Sequence, residues 1–129
     1  MAFTRTSNST KASMLTALVT AAGASATLKI YSGAAPANVD TGVTGTLLAT
    51  LTCASTLGTV SGATLTFNSI AGVNASASGA WGYARLATSG GTALIDMDVG
   101  TSGTAIVMTQ AYASSGVGLT VASATITMG

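Results

Sequence analysis

Asp96 and Asp98 are the two carboxylates of this chain that lie close together in sequence. On a strand they would share one face, with Cα atoms about 6.6 Å apart. Paired carboxylates at such separations serve glycoside hydrolysis, provided that they flank the substrate and that one is held protonated. Two neighbours on a solvated strand beside Arg85 meet neither condition, so a surface charge cluster is the simpler reading. Asp96-x-Asp98-x-Gly100 also resembles the start of a calcium loop. Such a loop needs several more oxygens and ends in a bidentate Glu, and this chain has no Glu. Residues 100–104 are glycine-rich but lack the Lys of a phosphate-binding loop and lead into a strand pattern, so they read as a turn. Asn8-Ser9-Thr10 and Asn74-Ala75-Ser76 match the glycosylation acceptor pattern, which is frequent by chance in chains rich in Ser and Thr. Cys53 falls on the apolar side of its segment and reads as a small buried hydrophobe.

The composition excludes more chemistry than the motifs suggest. The 129 residues include no His, one Cys, one Pro, one Trp and a formal net charge of +1, with only 5% of positions charged. A typical soluble domain is about 25% charged, so this deficit is the outlier, while the 48% apolar content is ordinary. Without His there is no imidazole metal ligand, no Ser–His or Cys–His nucleophile pair and no pH switch near neutrality. Arg5, Lys11, Lys29 and Arg85 are too few for a basic patch, so nucleic acid is not an expected partner. One cysteine allows no intrachain disulfide. No cofactor and no catalytic residue are expected. Ala, Thr, Ser and Gly fill roughly three positions in five, so the surface must be coated with hydroxyls and small groups. A surface with so little charge is poorly protected against association, and burial in an assembly is the simplest way to accommodate it.

The elements follow from hydrophobic period. Leu15, Leu18, Val19 and Ala22 recur at helical spacing, Ser9 or Thr10 is placed to cap, and Gly23 sits where a helix would stop. Residues 1–26 also carry the outline of a secretion signal, with Arg5 and Lys11 before an apolar run and Ala24-Ser25-Ala26 after it. Ser13, Thr16 and Thr20 interrupt that run, which favours a retained N-terminal arm with a short amphipathic helix. The run is too short to span a bilayer, and no membrane partner is expected. From 27 to 129 the pattern is all-β. Strands are expected near 27–32, 46–53, 62–69, 80–87, 92–99, 104–112 and 117–128. Seven strands with one apolar face each, such as Leu65 and Phe67 opposite Thr64 and Thr66, predict an antiparallel β-sandwich or a jelly-roll-like barrel. A turn at 88–91 would pair Ala87 with Thr92 and Arg85 with Leu94. Ala84 and Leu86 would then face the core with Ile95, Met97 and Val99. Trp81, Tyr83 and Arg85 would share the other face with Leu94, Asp96 and Asp98. Trp, Tyr and Arg are the residues most enriched at binding hot spots, so this face is a candidate contact surface, with Leu15, Leu18 and Val19 of the arm as a second.

Residues 28–33 (LKIYSG), Ala35-Pro36-Ala37, Asp40 and residues 44–52 (TGTLLATLT) resemble the opening of a family of small tailed-bacteriophage virion structural proteins. Residues 81–86 (WGYARL), Asp96 and residues 99–103 (VGTSG) resemble the second half of that family. The resemblance covers residues 27–128 and rests on turn and strand patterns. It implies a non-enzymatic virion protein, a capsid decoration or cement protein on the capsid exterior, made in the bacterial host cytoplasm. Its partners would be copies of itself, as a homo-oligomer with a trimer favoured, and the major capsid protein. The chain departs from the family in its scarcity of acidic residues and its long N-terminal segment. Two alternatives stand beside this reading. One is a carbohydrate-binding sandwich of a fibre or adhesin, with Trp81 and Tyr83 as a sugar platform and Asp96 and Asp98 as acceptors. The other is a main coat or tail-tube subunit.

Overall fold

The computed structural model describes residues 7–38 and 42–127. Arg5 and Asp40 lie outside the described residues, as do residues 1–6 of the expected arm. Ser7 is extended (φ −66°, ψ 156°), and its hydroxyl accepts the Thr10 N–H at 3.2 Å. That bond satisfies one of the donors a helix start leaves open, so Ser7 is the N-cap and Ser9 and Thr10 are already inside α1 (Asn8–Ala22). Gly23 ends the helix at φ +67°, a conformation that favours glycine, with its N–H on the Val19 carbonyl at 3.2 Å. On the outer face Ser13, Thr16 and Thr20 donate to the carbonyls four residues back at 3.1, 2.8 and 3.1 Å. Their hydroxyls are thereby satisfied within the helix.

The strands are β1 (Thr27–Tyr31), β2 (Leu47–Thr52), β3 (Gly58–Ser61), β4 (Thr64–Phe67), β5 (Val73–Asn74), β6 (Tyr83–Ala87), β7 (Ala93–Gly100), β8 (Ile106–Met108), β9 (Gly118–Leu119) and β10 (Val121–Thr127). Eight of them form one curled sheet, a half-barrel, in the order β2-β1-β6-β7-β8-β10-β4-β3, and β5 pairs with β9. The fold is therefore mainly β with one N-terminal helix, as the period implied, but the sheet differs from a seven-strand antiparallel sandwich. The pair β7–β8 is parallel, with Val99 opposite Ile106. The expected strand at 62–69 is the second arm of a β3–β4 hairpin around Gly62-Ala63, and the expected 104–112 strand shrinks to three residues.

One apolar cluster fills the concave side. It joins Leu28 and Ile30 of β1, Leu51 of β2, Leu65 and Phe67 of β4, Ala84 and Leu86 of β6, Met97 and Val99 of β7, and Ile106 of β8. α1 packs against β3, β4 and β7, and it contributes Leu15 (2% exposed) and Ala22 to that core. Burying a leucine is worth about 2 kcal/mol, so the helix is held as part of the domain. Leu18 and Val19 are half-buried on the same side.

Two irregularities explain where periodicity misplaced residues. Strict alternation along β2 would put Leu47, Ala49, Leu51 and Cys53 on one face. Ala49, Leu51 and Cys53 are buried, but Tyr31 pairs with Leu47 while Ile30 pairs with Ala49. Leu48 is thus the extra residue of a bulge, and it is buried while Leu47 is exposed. In the β6–β7 hairpin the expected faces hold, but Arg85 pairs with Asp96, two residues beyond Leu94. A shift between Leu86 and Ala87 absorbs part of the difference near the turn, where Ala87 pairs with Ala93. A two-residue slip preserves faces, which is why alternation alone could not detect it.

Candidate functional site

The expected contact face forms where β1, β6 and β7 lie side by side. In register across the three strands run the rows Lys29–Arg85–Asp96 and Tyr31–Tyr83–Asp98. Arg85 Nε donates to Asp96 Oδ1 at 2.7 Å and Nη2 to Oδ2 at 2.9 Å, a bidentate pair with side-chain exposures of 8% and 13%. The hydrogen bond to Asp96 pushes the Arg85 guanidinium further above its ordinary range, so it is charged at every relevant pH. Tyr31 and Tyr83 stack, with centroids 5.1 Å apart and planes 16° from parallel. Burial raises the Tyr31 phenol, and the adjacent Tyr83 adds to the shift.

Two described parts of the segment between β1 and β2, at residues 33–35 and at Thr44, meet at the Tyr83 end of this face and form a strap there. A Cβ on Gly82 would collide with the Gly33 backbone, so glycine there is what lets the strap approach. The Tyr83 hydroxyl accepts the Thr44 N–H and donates to the Thr44 carbonyl, each at 2.9 Å. Thr44 in turn donates to the Ala34 carbonyl at 2.9 Å. Tyr83 is consequently 2% exposed. A shallow groove of about 260 Å³ remains beside the strap, lined by Ala35, Gly82, Tyr83, Asp96, Met97 and Asp98.

The sequence-derived candidates therefore meet in space, but mostly as partners of one another. Tyr83 and Arg85 are buried, and Asp96 is engaged by Arg85. Asp98 is exposed, yet its Oδ1 accepts the Ala105 N–H at 2.7 Å. That bond closes the short loop between β7 and β8, and with Thr104 donating to the Ile106 carbonyl at 2.6 Å it returns the chain parallel to β7. Asp96 and Asp98 thus sit on one face, as the alternation implied, with separate structural tasks. Trp81 is half-buried, and its Nε1 donates to the Gln110 carbonyl at 2.9 Å. Leu15, Leu18 and Val19 lie on the core side of α1 rather than on its outer face. Cys53 is buried, and burial pushes its thiol up to about 11. Among the described residues no group of three or more His, Cys, Asp or Glu is placed to hold a metal ion. No described helix is long and apolar enough to cross a membrane.

What sequence reasoning missed is a second, uncharged surface. Tyr112 is 61% exposed, Val117 51%, Val43 49% and Leu47 36%. The backbones beneath three of these are tied together. Ala75 N–H bonds to the Val117 carbonyl at 2.9 Å, Ser76 Oγ bonds to the Leu47 carbonyl at 3.2 Å, and Ala113, next to Tyr112, exchanges bonds with Gly79 at 2.9 and 3.0 Å. Trp81 supports this loop cluster through Gln110. The available signal was composition: no charged residue occurs from 41 to 84 or from 99 to 129.

Comparison of the chain with protein-family models, with curated proteins and with solved structures found no match in any of the three.

Proposed function

We propose that this chain is a non-enzymatic structural subunit that acts by packing against other protein surfaces, and that its place is the exterior of a bacteriophage capsid as a decoration or cement protein. The observation that carries the reading is the location of its charge. Arg85 and Asp96 neutralise each other inside the fold, and Asp98 is engaged by a backbone N–H. Among the described residues only Lys11, Lys29 and Asp98 then remain as surface charges, amid hydroxyls, small residues and the exposed apolar side chains Met14, Tyr112, Val117, Val43 and Leu47. Such a surface suits contacts with a protein shell that do not depend on charge. The resemblance of residues 27–128 to small virion proteins supplies the capsid as partner, and self-association of the subunit is part of the same proposal.

The test is binding of the purified protein to emptied capsids of the phage that encodes it. Co-sedimentation with capsids, at saturation in proportion to the capsid subunits and with little dependence on salt, is the expected result. Tyr112→Ser and Val117→Ser should reduce binding without lowering the melting temperature, because both side chains are exposed. No binding to capsids, or binding abolished by moderate salt, overturns the proposal.

A further inference from the structure

β3 ends the eight-strand sheet, and its backbone pattern can be read from its partner. The pairs run from Gly58↔Phe67 to Ser61↔Thr64, and beyond them the Asn68 N–H bonds to the Leu57 carbonyl at 3.0 Å. Hydrogen-bonded and non-hydrogen-bonded pairs alternate along an antiparallel ladder. Leu57, Thr59 and Ser61 therefore turn their backbone groups toward β4, and Gly58 and Val60 turn theirs away from the sheet. Among the described residues no hydrogen bond reaches those outward groups.

The opposite edge of the sheet is capped at the end that holds Leu47 and Leu48. Along β2, Ser76 donates its N–H to the Leu48 carbonyl at 2.8 Å, its Oγ lies 3.2 Å from the Leu47 and Leu48 carbonyls, and Leu48 bulges. Folded proteins blunt open edges with charge, proline, bulges or cover. β3 has none of the first three: its register with β4 is regular, and the chain from 41 to 84 carries no charge and no proline.

We propose that the bare β3 edge pairs with β3 of a second copy of this chain, antiparallel across a two-fold axis at Thr59. The outward pattern is self-complementary. Gly58 of one copy faces Val60 of the other, and each of these two pairs exchanges two backbone hydrogen bonds. Thr59 then faces its own twin as a non-hydrogen-bonded pair, with Cα atoms about 4.5 Å apart. Threonines facing each other across strands are a favourable pair, and no like charges are brought together. Because the contact is isologous, the pairing uses the β3 edge of both copies, and the assembly closes at two along this edge. The inference stands on the sheet edge and is independent of the capsid reading.

The test is sedimentation equilibrium of the full chain over a wide concentration range. A monomer–dimer equilibrium is expected. Thr59 is exposed, so Thr59→Lys and Thr59→Asp should leave the melting temperature at monomeric dilution unchanged while each weakens dimerisation roughly tenfold or more. Mixing the two variants should restore a heterodimer, which also shows that both are folded. Thr59→Cys should form a disulfide-linked dimer on mild oxidation, since the facing Cα separation lies within disulfide range. The wild-type chain, whose Cys53 is buried, should not. A wild-type monomer or trimer throughout, a dimer indifferent to both charge variants, or failure of Thr59→Cys to cross-link overturns the proposal. None of these outcomes bears on capsid binding.

Discussion

Replacing Asp96 with Ala should destabilise the domain by about 2–3 kcal/mol, because it takes the bidentate Asp96 carboxylate from a guanidinium inside the fold. Arg85 is 7% exposed, and contacts at 2.7 and 2.9 Å tie it to the Asp96 carboxylate. Removing one member of a fully buried ion pair costs roughly 3–5 kcal/mol. The lower figure is used because the Asp96 side chain keeps 13% exposure and borders the groove, so water can reach the vacated position. In a chain of this size 1 kcal/mol corresponds to about 3–5 °C, so the melting temperature should fall by roughly 10 °C. Asp96→Asn retains one acceptor oxygen and should lose about half as much. The informative variant is the double replacement Arg85→Met with Asp96→Leu. Removing both charges together removes both desolvation penalties, so its stability should return to within about 1 kcal/mol of wild type. Urea denaturation followed by Trp81 fluorescence, with calorimetry alongside, measures all four proteins. Asp96→Ala within about 0.5 kcal/mol of wild type would show that solvent already screens Arg85. A double variant as unstable as the singles would show that packing, not charge, is the reason for the pair.

Tyr83→Phe removes both bonds to Thr44 and should cost about 1–2 kcal/mol. It should also release the strap, read as faster hydrogen exchange at Thr44 and earlier proteolysis between 33 and 45; unchanged exchange would contradict that role. Asp98→Ala frees the Ala105 N–H and should raise its exchange rate together with that of Ile106 and Val107, while β1, β2 and β6 keep their protection. For Cys53 the sign follows from its thiol, which burial holds at about 11 against an ordinary value near 9. The unfolded chain loses this proton first, so the folded state binds more protons between those values and stability falls as pH rises through the window. The loss is at most about 2.7 kcal/mol, and Cys53→Ala should remove that part of the slope in denaturation curves at pH 8–11.

How far the chain could be read in advance varies with the kind of feature. The helix was legible because Leu15, Leu18, Val19 and Ala22 keep one period, though its cap lies at Ser7, whose backbone is extended. The faces of β6 and β7 were legible from strict alternation, and Ala84, Leu86, Met97 and Val99 are buried where they were expected. β3 was not legible, because residues 58–61 (GTVS) carry a single large apolar side chain and so no alternation. The candidate face was found through residue type alone. The same chemistry that suits Trp81, Tyr83 and Arg85 to a partner also suits them to the inside of a fold, and exposure is absent from a residue list.

Composition and period decided that this chain is mainly β, has one N-terminal helix, and contains neither His nor Glu. Those properties depend on which side chains exist and on spacing along the backbone, both local quantities. The tertiary structure decided the rest: the two-residue register of the β6–β7 pair, the parallel return into β8 through the Asp98–Ala105 bond, the strap that buries Tyr83, and the bare edge of β3. Each depends on what a residue meets from elsewhere in the chain. A two-residue slip leaves every side chain on its face, and an unpaired strand edge has no signature of its own until the neighbours of every strand are known.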